Sequence, residues 1–130
     1  MKIRIKGNSL RMRLSKSELA QIEAGLVVSE SIRFSPKSKL TYSLVPSHEA
    51  KLIEAHFDGQ AISVHVPMKE AQGWAASFTV SLKTESSNEN PEALFILIEK
   101  DFFCLKPRTH EIEDESDLFD NPNETHGSCG

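Results

Sequence analysis

The sequence predicts an α+β fold: an antiparallel sheet of about six to eight strands, two short helices packed on it, and an acidic C-terminal tail. Three observations predict this. Residues 2–6, 10–14 and 62–66 alternate apolar and polar side chains, the period-two signature of half-buried strands. Helix-starting chemistry occurs twice, at Ser15 and at Pro67. Turn residues divide most of the remaining chain into short strand-like pieces.

The elements follow in order. Ile3 and Ile5 face one way and Lys2, Arg4 and Lys6 the other; after Gly7-Asn8-Ser9, Leu10, Met12 and Leu14 oppose Arg11 and Arg13. This predicts a two-stranded start with one apolar and one basic face. Ser15-Lys16-Ser17-Glu18 has the spacing of a capping box, and Leu14 and Leu19 that of a hydrophobic staple. With Gly25 placed to terminate it, a helix is expected over 16–24. Strand-like segments follow at 26–34, 40–45 and 51–57. Asp58-Gly59 joins the last of these to the 62–66 strand as a hairpin. Pro67 opens a second helix over 67–76, weakened by Gly73. A strand over 78–83, a polar loop over 84–92 and a central strand from 93 to about 103 complete the domain. Trp74 and Phe78 are expected in the core, with the indole N–H needing a partner. No internal repeat is visible.

The domain is expected to span 1–105. Residues 106–130 hold few large apolar groups, Ile112, Leu118 and Phe119, too few to offset the entropy of ordering alone. They are expected to be either disordered or docked on the domain. No apolar run approaches the roughly 18 residues of a membrane span, and the charged opening residues do not resemble a signal peptide. The expectation is a cytoplasmic protein with no membrane contact, whose two cysteines are thiols or ligands rather than a structural disulfide. A Cys104–Cys129 bridge would close a long loop, worth about 3 kcal/mol in the ideal entropic case, but neither cysteine sits in a C-x-x-C pair.

The stretches KIRIKGNSLRMRLSKSE, VPMKEAQGWA, EKDFFCLKPR and EDESDLFDNPN together resemble a family of small bacterial proteins of unknown function. The resemblance implies one continuous unit that includes the acidic segment. It carries no activity, cofactor or site residue.

The net charge of −4 conceals an asymmetry: residues 1–40 hold nine Lys and Arg against three acids, and residues 99–130 hold nine acids against three bases. Lys2, Arg4, Lys6, Arg11 and Arg13 form a candidate anion-binding set. A nucleic-acid partner is disfavoured by the pI of 5.7 and by the lack of interleaved aromatics. The acidic segment is instead a candidate to fold across the basic hairpin, masking it until an anionic or protein partner competes.

Cys104, His110, His126 and Cys129 supply the donor types of a Cys2His2 zinc site, although their spacing lacks paired knuckles. The acids from Asp114 onward lack the glycine of a calcium-binding loop. His56 and His65 flank the Asp58-Gly59 turn and are placed to approach each other across two strands, with Asp58 near His56. No nucleophile elbow, H-E-x-x-H helix or phosphate-cradling glycine loop is present. The sequence therefore favours a small non-catalytic binding or regulatory module with a basic N-terminal hairpin and an acidic tail. The alternative is a small metal-binding protein that uses its C-terminal Cys, His and acidic residues.

Overall fold

A computed structural model of the chain describes residues 1–84, 93–102 and 117–120. Among these described residues, eight strands and two helices run in the order β1 (Lys2–Lys6), β2 (Ser9–Leu14), α1 (Lys16–Glu23), β3 (Val28–Ser35), β4 (Ser38–Ser47), β5 (Glu54–Phe57), β6 (Ala61–Pro67), α2 (Met68–Ala76), β7 (Ser81–Lys83) and β8 (Phe95–Lys100).

The α+β class holds, but the single antiparallel sheet does not. The strands divide into two four-stranded mixed sheets, ordered β1-β2-β8-β7 and β3-β4-β6-β5. Within them β2–β8 and β4–β6 are parallel; the other pairs are antiparallel. Neither parallel pair joins consecutive strands, since β5 lies between β4 and β6 and five strands and both helices lie between β2 and β8, and period-two alternation is blind to which strand lies alongside which.

The two sheets repeat one another. Each contains a hairpin followed by a helix, and the second hairpin strand lies parallel to a strand from the other half of the chain. The register repeats as well. One inward row runs Ile3–Met12–Ile98–Leu82 across the first sheet. Its counterpart in the second runs Ala55–Val64–Leu44–Val28. The repeat escaped the sequence because a row needs only apolar side chains of suitable volume: Ile98 and Leu44 share no identity, yet both are buried.

These inward rows share one core. Leu10, Met12, Leu14, Ile96 and Ile98 of the first sheet join Val28, Leu44, Val64 and Val66 of the second, with Ile22, Ala71 and Trp74 from the helices. β8 explains its own composition: Ile96, Leu97, Ile98 and Glu99 are all buried, as in a strand covered on both faces.

Local signals hold where they are self-contained. Ser15 Oγ accepts from the Glu18 amide at 3.4 Å, and the Ser15 amide donates to Glu18 Oε1 at 2.9 Å. At the other end of α1, Gly25 (φ +79°) donates to the Ile22 carbonyl and Leu26 to the Gln21 carbonyl, both at 2.9 Å. This is a Schellman ending, which needs a positive φ after the cap. Gln72 of α2 donates to the Glu23 carbonyl at 3.0 Å and ties the helices together. At the β5–β6 turn, Asp58 Oδ1 accepts from the Gln60 and Ala61 amides at 2.8 Å, and these bonds hold its carboxyl below the ordinary carboxylate range.

Two further expectations are corrected. Trp74 is buried and its indole donates to the Val80 carbonyl at 3.2 Å, but Phe78 is fully exposed. The chain turns at Ser77 after α2, and β7 begins only at Ser81, so Phe78 is outside any strand. Asp58 serves the turn rather than His56, whose neighbour is Glu54 at 3.4 Å. Among the described residues no helix is long and apolar enough to cross a membrane.

A candidate anion-binding face

The β1–β2 register places Lys2 opposite Arg13 and Arg4 opposite Arg11. Side chains directly opposite one another in an antiparallel pair share a face, so the predicted cationic set converges on the outward side of the first sheet. β8 extends the rows: Arg13 lies beside Glu99 and Arg11 beside Leu97. β7 adds Lys83 opposite Leu97.

Glu99 organises this face. Its carboxylate is 1% exposed and accepts from Arg13 Nε at 2.6 Å, with Arg11 Nε 3.7 Å away. Arg13 is itself only 5% exposed. Two buried, charged side chains are tolerable because each neutralises the other; either alone would keep a charge out of water. At the rim, Lys2 Nζ lies 3.0 Å from Asp101 Oδ2, and the Asp101 amide donates to the Leu14 carbonyl at 2.9 Å. Between these groups is a cleft of about 340 Å³ lined by Lys2, Ile3, Arg4, Arg11 and Arg13. A second hollow of about 350 Å³ adjoins it, sharing Lys2 and Arg13 and bounded by Glu18, Glu30 and Asp101.

That second hollow holds the amino group of Met1. It donates to Glu18 and, at 2.6 Å, to Glu30 Oε1. Burial alone would lower the amine's pKa, but the hydrogen bonds and charges of the two carboxylates outweigh it and raise it. The same contacts act on Glu18 in reverse: burial pushes its carboxyl up, and the ammonium and the Ser15 cap bring it below its ordinary value. Tyr42 donates to Glu30 Oε2 at 3.1 Å, and burial followed by that bond raises its phenol.

Four of the five predicted anion-binding residues, Lys2, Arg4, Arg11 and Arg13, line the cleft; Lys6 lies farther along β1, opposite Ser9. Sequence reasoning missed Glu99 and Lys83. The signal for Glu99 was a single acid closing the apolar run from Leu94 to Ile98. Cys104, His110, His126 and Cys129 lie outside the described residues, as does nearly all of the acidic segment. Among the described residues no group of three or more His, Cys, Asp or Glu is arranged to hold a metal ion.

With this geometry in place, the family comparison is decisive on kinship. The model of a "Family of unknown function (DUF7009)" matches residues 1–123. The chain belongs to DUF7009. The match covers both sheets, both helices and most of the acidic segment. No curated protein and no solved structure matches the chain.

Proposed function

We propose that this DUF7009 protein is a non-catalytic binding module whose cationic sheet face takes an acidic polypeptide segment. The observation that carries this reading is the cross-strand convergence of Lys2, Arg4, Arg11 and Arg13 on one cleft, with buried Glu99 beside Arg11 and Arg13. Guanidinium forks match carboxylates in geometry as well as charge. β1 is an edge strand among the described strands. An extended peptide beside it would present every second side chain to the same face, the spacing at which Lys2, Arg4 and Lys6 recur. Acids at alternate positions are therefore the favoured ligand chemistry. Among the described residues that line the cleft there is no aromatic platform for stacking bases.

The chain's own acids are competitors of the same chemistry. Strand β8 leads to Asp101 at the rim of the cationic face, and Glu111, Glu113, Asp114 and Glu115 follow in sequence.

Fluorescence anisotropy of a labelled peptide alternating Glu and Val tests the reading on the full chain. Binding that weakens with added salt and is abolished by Lys2→Glu with Arg4→Glu supports it. Tighter binding of a single-stranded oligonucleotide of the same length, or peptide binding indifferent to the two reversals, rejects it. The same titration on a chain carrying Glu111→Gln, Glu113→Gln, Asp114→Asn and Glu115→Gln is expected to show tighter peptide binding if the internal acids compete.

A further inference from the structure

The internal repeat pairs the cationic face with an equivalent outward face on the second sheet. On the first sheet the outward rows begin Lys2–Arg13–Glu99 and Arg4–Arg11–Leu97. Their counterparts on the second are Glu54–His65–Val45 and His56–Ser63–Ser43. Where one face carries guanidinium and ammonium groups, the other carries two imidazoles, one carboxylate and hydroxyls.

The two imidazoles meet. His56 is opposite Ser63 and one row from His65, and their ring centroids are 4.8 Å apart in an edge-to-face contact. Each ring also has an oxygen near one nitrogen. His56 Nε2 lies 3.4 Å from Glu54 Oε1, and His65 Nε2 lies 3.3 Å from Ser63 Oγ. Imidazoles that ligate metals commonly have an oxygen partner at the other ring nitrogen, which orients the ring. Here Glu54 Oε1 and Ser63 Oγ stand at the two Nε2 atoms, which leaves each Nδ1 for an ion. Rotation about the Cβ–Cγ bond of His is soft, and His56 is more than half exposed, so turning its ring toward a shared ion costs little.

We propose that His56 and His65 form a bis-imidazole site for a borderline divalent transition-metal ion, Zn²⁺ or Cu²⁺, with Nδ1 of each as ligand and water completing the sphere. Glu54 contributes charge and orients His56, and Ser63 orients His65. Imidazole donors suit these ions and not Mg²⁺ or Ca²⁺. The site is independent of the cationic face and of the C-terminal Cys and His residues.

The test is a titration of the full chain with ZnCl2 at neutral pH, followed by calorimetry and by the imidazole C–H resonances. It is repeated on a chain lacking the C-terminal donors (Cys104→Ala, His110→Ala, His126→Ala, Cys129→Ala). One equivalent of Zn²⁺ is expected to bind this variant and to shift the His56 and His65 resonances. His56→Asn or His65→Asn should weaken that binding more than about tenfold, since loss of even an orienting partner costs 10–100-fold. Ser63→Ala should weaken it less, and Mg²⁺ should leave the resonances unmoved. Both Asn substitutions replace outward-facing rings, and an unchanged far-ultraviolet spectrum verifies the fold. The proposal is overturned if removing the C-terminal donors abolishes Zn²⁺ binding, or if both Asn variants bind as the parent does.

Discussion

Arg13 Nε donates to Glu99 Oε1 at 2.6 Å across the parallel β2–β8 pair, in surroundings where both side chains are almost fully buried. This contact joins the N-terminal hairpin to β8, which lies inside the sheet between β2 and β7. It also places a buried acid beside two guanidiniums of the basic hairpin, with Arg11 Nε 3.7 Å from the same carboxylate oxygen. Glu99→Leu would leave Arg13 buried without its carboxylate, at a cost of about 3–5 kcal/mol. Replacing both, Arg13→Met with Glu99→Leu, should recover most of that loss, as buried pairs often exchange for apolar groups at little net cost. Urea unfolding of the two single variants and the double variant checks this; a double variant less stable than either single would contradict it.

Around Met1 the expectation is a dependence on pH. Glu18 titrates below its ordinary 4.5 in the folded chain, so its contribution is present above about 4.5 and is lost as pH falls through the depressed value. The Met1 amine titrates above its ordinary 8.0, so its contribution is present below 8.0 and is lost as pH rises through the raised value. The stability difference between the parent and Glu18→Gln should therefore be largest between these limits and shrink on both sides. Thermal unfolding across pH 3 to 10 measures it, and a difference independent of pH would refute it.

Trp74 and Phe78 should respond oppositely. Trp74→Ala removes a buried ring and the indole bond to Val80, and should cost about 3–5 kcal/mol. Phe78→Ser alters an exposed side chain and should change stability by no more than about 0.5 kcal/mol. Chemical denaturation of both variants decides the point.

Gly59 should resist substitution. Its φ of +94° lies where side chains with a Cβ are strained, although nothing crowds the position. Gly59→Ala should destabilise by about 1 kcal/mol or more through the backbone alone. Equal stability of the variant and parent would show that the turn relaxes.

These contrasts separate what the sequence made legible from what it did not. Helix α1 was legible because its cap and ending lie within Ser15–Leu26, where neighbours in sequence are neighbours in space. The Asp58-Gly59 hairpin and the meeting of His56 and His65 were legible for the same reason. The parallel pairings were not: β2 bonds to a strand from the far end of the chain, and nothing in either strand's alternation names its partner. Phe78 misled because a large apolar residue was assigned to the core by type, while the turn at Ser77 points it outward. The basic set was legible as a face but not as a site, since its organising acid arrives from β8.

Where an acidic peptide touches this protein is the most direct test of the cationic face. Backbone amide shifts of the isotope-labelled full chain, titrated with the alternating Glu-Val peptide, provide that map. The prediction is a contiguous set of shifts in Lys2–Lys6, Ser9–Leu14 and the neighbouring Glu99–Asp101, diminishing as salt is raised. Shifts confined to β5 and β6 on the second sheet, or no shifts in β1 and β2 at saturating peptide, would contradict it.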